Sequence, residues 1–427
     1  MSSVVLSQAP HVRLDPASAT IFALLALGAV LLTLRRPAYG VAALVLADPF
    51  GFAHYMWWTT ITVPKVVLVG VAVGLIARRA PLAVLRSRET LPLLAAAAAI
   101  AVTTMLTAIP CTYIDAVARE SLKALEYGVL FCVAAVAFAS DPDEALQWQA
   151  LAAVTAIVCA SALLQEFTVA PAGVMLAGHV IPRIAGLLEG PNQLAGFFDL
   201  VVPLAFARAA IARDRWFAFL LALVLIVDLL TFSRAGAIGA VAGALAVGLR
   251  LPSVRARRAV AVAGAVGLAV AGAVLAKLHV LTRFLSSSDV DSASGLGSRG
   301  ELWAAAWGFW RAHPILGIGA GNFELELPQA GLSGVRTHAN SLYLQSLAEG
   351  GVLLFAANVF ALGAAIRAFY VRAPMNALFA GVGAATIALA VHQFFDLLAF
   401  FPKVGGFWWL WLGIASGAAF VRTKQPA

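Results

Sequence analysis

Charged side chains are scarce in this sequence. They make up 12% of its 427 residues, whereas 62% are hydrophobic and the mean hydropathy is +0.92. In soluble domains about 25% of residues are charged, so the composition excludes an ordinary soluble protein and predicts a polytopic membrane protein. The net charge of +8 is then explained by arginines of cytoplasmic loops that face anionic lipid, and no nucleic-acid partner is expected.

Cysteine is rare, and the common motifs of metal and nucleotide sites are missing. Cys111, Cys132 and Cys159 have no metal-ligand spacing, and we interpret them as small apolar residues of the core. No HExxH, P-loop or GxSxG motif occurs in a usable context. Asp289 and Asp291 have the spacing of a metal-binding pair, but the surrounding SSSDVDSAS composition is typical of a loop. We therefore expect neither a metal nor a cofactor.

Apolar runs of membrane-spanning length recur along the chain. A transmembrane helix needs about 20 apolar residues, with a range of roughly 17–25. Twelve runs are candidates, at residues 17–34, 61–77, 91–109, 121–140, 145–165, 192–211, 216–232, 235–250, 259–280, 341–366, 376–396 and 405–421. The run 38–50 is short and contains Asp48-Pro49, so we interpret it as a re-entrant or interfacial segment. The predicted fold is an all-α transmembrane helical bundle of about 12 spans, one integral membrane domain over residues 1–427.

Arginine clusters orient this bundle, because short cytoplasmic loops are enriched in Lys and Arg. Five clusters are separated by even numbers of spans and can all be cytoplasmic: Arg78, Arg79, Arg86 and Arg88; Arg208, Arg213 and Arg215; Arg250, Arg255, Arg257 and Arg258; Arg367 and Arg372; and Arg422 with Lys424. Arg35 and Arg36 do not fit this orientation. They could be cytoplasmic only if the chain had a thirteenth span and an outside N-terminus. The orientation places the polar segment 281–340 outside the cytoplasm, as a large loop between two spans; in a bacterial inner membrane it would be a periplasmic loop.

Several basic residues fall on the outer side, against the usual bias. They are Arg119, Lys123, Arg183, Arg234, Lys277, Arg283, Arg299, Arg311 and Arg336. Guanidinium groups match phosphate oxygens, so these residues indicate an anionic ligand, most simply a phosphate. Some of them are expected to reach lipid headgroups instead. Arg183, Arg234 and Arg299 lie in glycine-containing polar turns and are the strongest candidates for binding.

Residues 299–311 have the periodicity of a helix. Trp303, Trp307 and Trp310 recur at i, i+4 and i+7 and share one face. Tryptophan prefers the membrane–water interface, so we expect this helix to lie on the outer leaflet. Packing of the tryptophan stripe against the protein is the alternative.

His338 is the candidate general base. It precedes Asn340 and Ser341, which we interpret as cap residues of the next helix. A histidine has an ordinary pKa near 6.5 and can accept a proton when neutral. The alternative is a histidine that only satisfies the start of that helix. His392 and Asp396 share a helix face as an orienting pair would, although packing is the favoured interpretation.

Three stretches resemble the O-antigen ligase and polymerase superfamily of bacterial inner membranes. The first is Arg183-Ile-Ala-Gly186 followed by Pro191-Asn192, and the second is Thr231-Phe-Ser233-Arg234-Ala-Gly236. The third runs from Arg299 through His313-Pro314-Ile-Leu-Gly317-Ile-Gly319 and His338-Ala-Asn340-Ser-Leu-Tyr343-Leu-Gln345 to Glu349-Gly350-Gly351. They span residues 183–351. Many members have the histidine and asparagine adjacent, whereas here Ala339 separates them.

The resemblance implies an O-antigen ligase with its active site on the periplasmic side of the inner membrane. The donor would be O-antigen linked to undecaprenyl pyrophosphate, and the acceptor a sugar hydroxyl of the lipid A-core. His338 would be the catalytic base, and Arg183, Arg299 and Arg234 would bind the pyrophosphate without a metal. Asn192, Asn340, Arg336, Lys123 and Arg119 would support these residues.

Other functions stay open at this point. A polymerase of the same superfamily would use a growing glycan as acceptor, and a protein O-oligosaccharyltransferase would use a serine or threonine. A membrane transporter is the alternative from another class. It would place polar residues near the middle of the bilayer, where Glu126 and Asp228 are the few candidates, whereas most polar candidates lie toward the outer face.

Overall fold

The computed structural model describes residues 15–51, 53–56, 59–168, 173–176, 179–251, 253–255, 257–258, 299–334 and 337–424. For residues 53–56, 59, 166–168, 173–176 and 179–182 we describe the backbone alone. The described chain is helical except for loops and two short antiparallel hairpins. The expected all-α architecture is thus confirmed in outline.

The helices follow the apolar runs closely. They are α1 (Pro16–Arg35), α2 (Pro37–Ala47), α3 (Val63–Ala77), α4 (Leu91–Leu106), α5 (Ile114–Ser140), α6 (Glu144–Thr168), α7 (Pro191–Ile211), α8 (Arg215–Leu229), α9 (Arg234–Arg250), α10 (Arg299–Ala312), α11 (Phe323–Glu326), α12 (Leu342–Ala365), α13 (Ala377–His392) and α14 (Pro402–Lys424). The hairpins pair β1 (Ala53–Met56) with β2 (Thr59–Thr62) and β3 (Gly173–Leu176) with β4 (His179–Pro182). A π-helix (Ile366–Arg372) continues α12.

Six of the described helices are long and apolar enough to cross a membrane: α1, α5, α6, α7, α12 with its π-helical extension, and α14. Four shorter apolar helices, α2, α3, α4 and α13, accompany them. The chain is therefore a multi-pass membrane protein. The count of twelve spans stays a prediction, because the candidate run at 259–280 and most of the polar segment before Arg299 lie outside the described residues.

The centre of the bundle is built from α14, α5, α7 and α13. Small residues let these helices approach closely: a Cβ at Gly413 of α14 would lie 2.5 Å from the carbonyl oxygen of Phe131 in α5. Large aromatic side chains fill the remaining space, and Phe197, Phe407 and Trp148 are fully or almost fully buried. Small residues at close helix contacts are the usual arrangement inside membranes, where burial from water does not drive helix association.

One end of the bundle carries arginine–carboxylate pairs that join distant helices. Arg36, between α1 and α2, donates to Asp141 (2.9 and 3.0 Å) and to Asp143 (3.2 Å) in the α5–α6 turn. Arg422 of α14 donates to Glu144 at 3.1 Å. We call the end of the bundle that holds these residues, with Arg78, Arg208 and Arg250, the basic end. We call the opposite end, which holds Lys123, Arg183, Arg234, His338 and Lys403, the site end.

Residues 38–50 form helix α2 and the turn after it, and their interpretation as a re-entrant or interfacial segment stays a prediction. Helix α2 begins beside Arg36 at the basic end and ends at Asp48, whose Oδ1 lies close to Gly406 in the first turns of α14, near the site end. It is buried against α1, α3, α5 and α6. Its first turn lies beside Arg36, which is at the basic end with the other arginines.

We predict that the basic end faces the cytoplasm, because that side of a membrane protein is enriched in Lys and Arg. A topology reporter inserted after Arg213, between α7 and α8, should report the cytoplasm. The same reporter after Ser333, between α11 and α12, should report the other side of the membrane. The two insertions are matched, since both follow exposed residues of described loops. Identical or exchanged locations would contradict the orientation.

Candidate functional site

Arg183 joins the first two motifs at the site end. It lies in the loop between β4 and α7, where its Nε donates to the carbonyl oxygen of Thr231 at 2.8 Å and its Nη2 donates to Asn192 Oδ1 at 2.8 Å. Thr231 belongs to the turn before α9, and Asn192 to the first turn of α7. These two bonds fix the plane of a half-buried guanidinium group. Asn192 thus orients Arg183, and its supporting role in the reaction stays a prediction.

Arg234 is the first residue of α9 and is half-buried. The Ser233 side chain caps this helix by accepting from the amide of Gly236 at 3.2 Å. A Cβ at Gly236 would lie 2.5 Å from the Cβ of Ala195, so glycine lets α9 approach α7. The serine–arginine–glycine turn therefore sets where Arg234 stands beside the Arg183 loop.

Arg299 begins α10 and interacts electrostatically with His392 at the end of α13. The helix is confirmed over Arg299–Ala312. Its buried face is formed by Leu302, Ala305 and Ala306, which pack against α11, α12 and the loop before α12. The tryptophan stripe lies beside that face: Trp307 is exposed, and its ring lies 4.6 Å from that of Trp310. Because Trp307 is exposed, packing against the protein explains only part of the tryptophan stripe.

His338 lies in the loop before α12, half-buried against aromatic side chains. Its ring centroid is 4.4 Å from that of Phe400 and 6.3 Å from that of Phe401. Lys123 Nζ lies 3.4 Å from the Phe400 ring centroid. Burial, with a smaller contribution from the positive charge of Lys123, lowers the pKa of His338 from 6.5 to about 4. The imidazole is therefore neutral at neutral pH.

The other basic candidates on α5 have carboxylate partners. Lys123 pairs with Glu120 at 2.8 Å and donates to the carbonyl oxygen of Phe400 at 3.1 Å. Arg119 pairs with Asp115 at 3.0 Å. Their charges are therefore partly compensated.

Two buried polar residues of α12 hold the His338 loop in place. Gln345 Oε1 accepts from the amide of Ala339 at 2.7 Å, and Gln345 Nε2 donates to Glu349 Oε1 at 2.8 Å. The same carboxylate oxygen accepts from the amide of Phe323 at 3.1 Å. Gln345 and Glu349 thus connect the residue after His338 to the start of α11. Sequence reasoning gave them no role, although buried polar residues four apart in an apolar helix indicate one.

Ala339 and Asn340 shape the turn between His338 and α12. Ala339 is fully buried and packs with the apolar residues under α10. Asn340 has a left-handed backbone (φ 49°), a conformation that asparagine tolerates better than most residues. Ser341 is the N-cap residue, and its hydroxyl accepts from Leu344. The predicted capping role is therefore confirmed for Ser341, whereas Asn340 makes the turn.

The two glycine motifs of the third stretch pair with each other. Helix α12 is broken at Gly351 (φ 60°, ψ −160°). There, backbone hydrogen bonds link Ile318 to Ala348 (2.9 Å), Gly319 to Glu349 (3.0 Å) and Val352 to Pro314 (2.9 Å). A Cβ at Gly317 would lie 2.3 Å from the backbone carbon of Glu349. The turn at 314–319 is therefore locked onto the break in α12.

His392 has a different partner from the one expected. Its Nδ1 contacts Asp199 Oδ2 of α7, and both side chains are fully buried. Asp396 Oδ1 accepts instead from the amide of Leu397 at 2.7 Å. Asp199, which sequence reasoning missed, also lies against Gly239, where a Cβ would be 2.6 Å from its Oδ1. The pair joins α7, α9 and α13 beneath the site end.

Some residues that the sequence singled out lie outside the described part of the chain: Arg336, Lys277, Arg283, Asp289 and Asp291. Within the described ranges, no group of three or more His, Cys, Asp or Glu side chains is arranged to hold a metal ion. The metal-free reaction stays a prediction.

The fold is that of a multi-pass membrane protein, and Arg183, Arg234, Arg299 and His338 lie at the site end of its bundle. Residues 217–360 match the O-antigen ligase family model. The match covers about a third of the chain and includes the serine–arginine–glycine turn and the histidine motif, while Arg183 and Asn192 lie before it. It confirms the resemblance and assigns this segment to the O-antigen ligase family, within the ligase and polymerase superfamily. No curated protein matches the chain.

We predict that the turn at 314–319 needs glycine at position 317 for two reasons: the positive φ, and the lack of space for a Cβ against the α12 backbone. Gly317→Ala and Gly331→Ala both place alanine at positive φ (65° and 81°), which costs about 1–2 kcal/mol. Only Gly317→Ala also forces a Cβ into the α12 backbone, because the space around Gly331 is open. Thermal unfolding should show the larger loss for Gly317→Ala, by about 1–3 kcal/mol. Equal losses would contradict the locked turn.

Proposed function

We propose that this protein is an O-antigen ligase. It transfers a glycan from undecaprenyl pyrophosphate to a sugar hydroxyl of the lipid A-core, on the periplasmic face of the bacterial inner membrane. The observation that carries the proposal is a neutral histidine, His338, at the same end of the bundle as Arg183, Arg234 and Arg299. That end is opposite the basic end, which the positive-inside rule assigns to the cytoplasm.

The arginines stabilise the leaving group. When the bond from the sugar to the pyrophosphate breaks, negative charge grows on the departing phosphate oxygen, and without a metal the guanidinium groups must compensate it. Arg183 is held in one plane by Asn192 and Thr231. A fixed plane allows bidentate contact with phosphate oxygens. Arg234 and Arg299, each at the start of a helix, would complete the clamp.

His338 accepts the proton of the acceptor hydroxyl. Its low pKa in the free protein keeps it neutral, but a group with a pKa near 4 is a weak base. Binding of the negatively charged pyrophosphate near Lys123 would offset the positive charge there and raise the pKa of His338. The donor would thus strengthen the base when it is needed. The sugar carbon is attacked from the side opposite the pyrophosphate, so its configuration is inverted.

The loop 281–340 is proposed as the periplasmic element that completes this site. Its described part, α10, α11 and the His338 loop, packs on α12 through the locked turn and the Gln345–Glu349 pair. The polyprenyl chain of the donor would remain in the bilayer and enter between helices, so the sugar–phosphate linkage would react at the membrane surface. The lipid A-core acceptor is itself anchored in a membrane, which agrees with a site at that level.

A polymerase uses the same chemistry with a growing glycan as acceptor, and a protein O-oligosaccharyltransferase uses a hydroxyl of a protein. The site residues do not distinguish these acceptors, and product analysis with each acceptor would. A transporter would use ionisable residues inside the bundle, such as Asp199, Asp228 and His392. The O-antigen ligase match favours the transferase over that alternative.

We predict that His338→Ala abolishes transfer without abolishing donor binding. Loss of a general base typically costs about 10²–10⁴-fold in rate, while the pyrophosphate contacts stay in place. Purified variant and parent should be compared for turnover and for affinity toward the lipid-linked donor in the same preparation. Substantial turnover by folded His338→Ala would remove His338 as the base.

The pH dependence should differ between the free and the donor-bound enzyme. Turnover falls as His338 takes up a proton, so the acid limb of kcat/KM should lie near the free-enzyme pKa of about 4. The acid limb of the kcat profile should lie at higher pH, because bound pyrophosphate raises the pKa of His338. Lys123→Met removes one cause of the lowering and should move the kcat/KM limb upward. Two limbs at the same pH, unmoved in Lys123→Met, would exclude this account.

If arginines bind the pyrophosphate through their planar guanidinium groups, replacing them by lysine should lower the activity. Arg183→Lys and Arg299→Lys keep the charge but lose the planar fork. We expect kcat/KM to fall about tenfold or more, because a hydrogen bond to a charged group is worth about 1.5–3 kcal/mol. Arg311→Lys, on the exposed side of α10, is the matched control and should change activity little. Full activity of both test variants, with folded protein, would mean that these arginines do not bind the donor.

A further inference from the structure

A cavity of about 740 Å³ opens at the basic end, far from the site end. It lies between the start of α4 and the ends of α12 and α14, and the π-helix and α13 close it. Four arginines border it, Arg88, Arg367, Arg372 and Arg422, together with one carboxylate, Glu89. Its walls are mostly apolar and include Phe360 and Gly363. The cavity therefore combines a positive mouth with an apolar interior.

Three of the four arginines are available to a ligand. Arg422 pairs with Glu144 and lies over the ring of Phe379. Arg88, Arg367 and Arg372 are exposed, and none of them forms a hydrogen bond or ion pair with another residue in the described part of the chain. Like charges that converge on one cavity repel each other, so a bound anion would stabilise the arrangement.

The π-helix brings two of these arginines to one side. In an α-helix, residues five positions apart point about 140° away from each other. In a π-helix, hydrogen bonds join residues five apart, so Arg367 and Arg372 lie on the same side. Arg250 of α9 holds this segment by donating to the carbonyl oxygens of Tyr370 and Ala373. Such segments are rare and often occur at functional sites.

The interior of the cavity has room for a hydrocarbon chain. A Cβ added at Gly363 would meet no atom within 4 Å. Phe360, one turn earlier on α12, is about half exposed and faces the same space. Because α12 spans the membrane, these residues lie deeper than the arginines. A molecule with an anionic head and an apolar tail fits both parts.

We propose that this cavity binds an anionic phospholipid of the cytoplasmic leaflet, with its phosphate on Arg367, Arg372 and Arg88 and an acyl chain along Phe360 and Gly363. Basic pockets between transmembrane helices on the cytoplasmic side are a known form of lipid site. The bound lipid holds together α4, the π-helix and α14. The proposal is independent of the transfer reaction.

The test measures binding of phosphatidylglycerol to the purified full-length protein, by native mass spectrometry or by lipid-dependent thermal stabilisation. Arg367→Gln with Arg372→Gln should weaken binding about 25-fold, since each arginine near a membrane surface contributes about fivefold. The control is Arg213→Gln with Arg215→Gln, which removes the same charge from two exposed residues around the start of α8, at the same end. Phosphatidylcholine and inorganic phosphate should bind weakly to the parent.

A second variant tests the apolar part without changing any charge. Gly363→Phe should fill the cavity and weaken phosphatidylglycerol binding at least tenfold, whereas Gly28→Phe, at an equally open position on α1, should not. Equal affinity of Gly363→Phe and Gly28→Phe would overturn the proposal. So would equal affinity of the two arginine pairs, or inorganic phosphate that binds as tightly as the lipid. If the Arg367–Arg372 variant does not fold, the Gly363 comparison decides.

Discussion

Three backbone hydrogen bonds between the turn at 314–319 and the break in α12 hold the site together. They exist because α12 is interrupted at Gly351, where a helix would otherwise satisfy its own amide and carbonyl groups. The break lets the polar segment attach to a membrane helix through its backbone. Gln345 and Glu349, just before the break, then fix the loop that carries His338. A side chain on a long loop thereby gains the fixed position that the proposed proton transfer requires.

The two ends of the bundle differ in how their arginines are used. At the basic end, Arg36 and Arg422 bind carboxylates of neighbouring helices. At the site end, Arg183 is held by neutral oxygens of Thr231 and Asn192. These two bonds hold the guanidinium group of Arg183 in one plane. The first arrangement fastens helices together, and the second fixes the orientation that the proposed phosphate contact needs.

Much of this fold could be predicted from the sequence because lipid imposes a length and an apolar composition on a helix. The run 192–211 became α7 and the run 235–250 became α9 within one residue at each end. The burial of α2 against four other helices could not be predicted, because length and composition do not show whether an apolar run contacts lipid or protein. At the site, motifs indicated the arginines and His338. The contact of His392 with Asp199 joins residues 193 positions apart, and no local spacing reveals it. Phe400, whose ring contacts both Lys123 and His338, is also remote from both in sequence.

The proposed reaction is a direct displacement of pyrophosphate at the sugar carbon, in which His338 takes the acceptor proton and no covalent glycosyl–enzyme intermediate forms. The most direct measurement is the anomeric configuration of the product. Purified protein should be incubated with undecaprenyl-pyrophosphate-linked glycan of known configuration and with lipid A-core, and the new linkage analysed by NMR. Direct displacement predicts that the new glycosidic linkage has inverted configuration and forms only when lipid A-core is present. A retained configuration, or no lipid A-core product from folded protein that binds the donor, would contradict it.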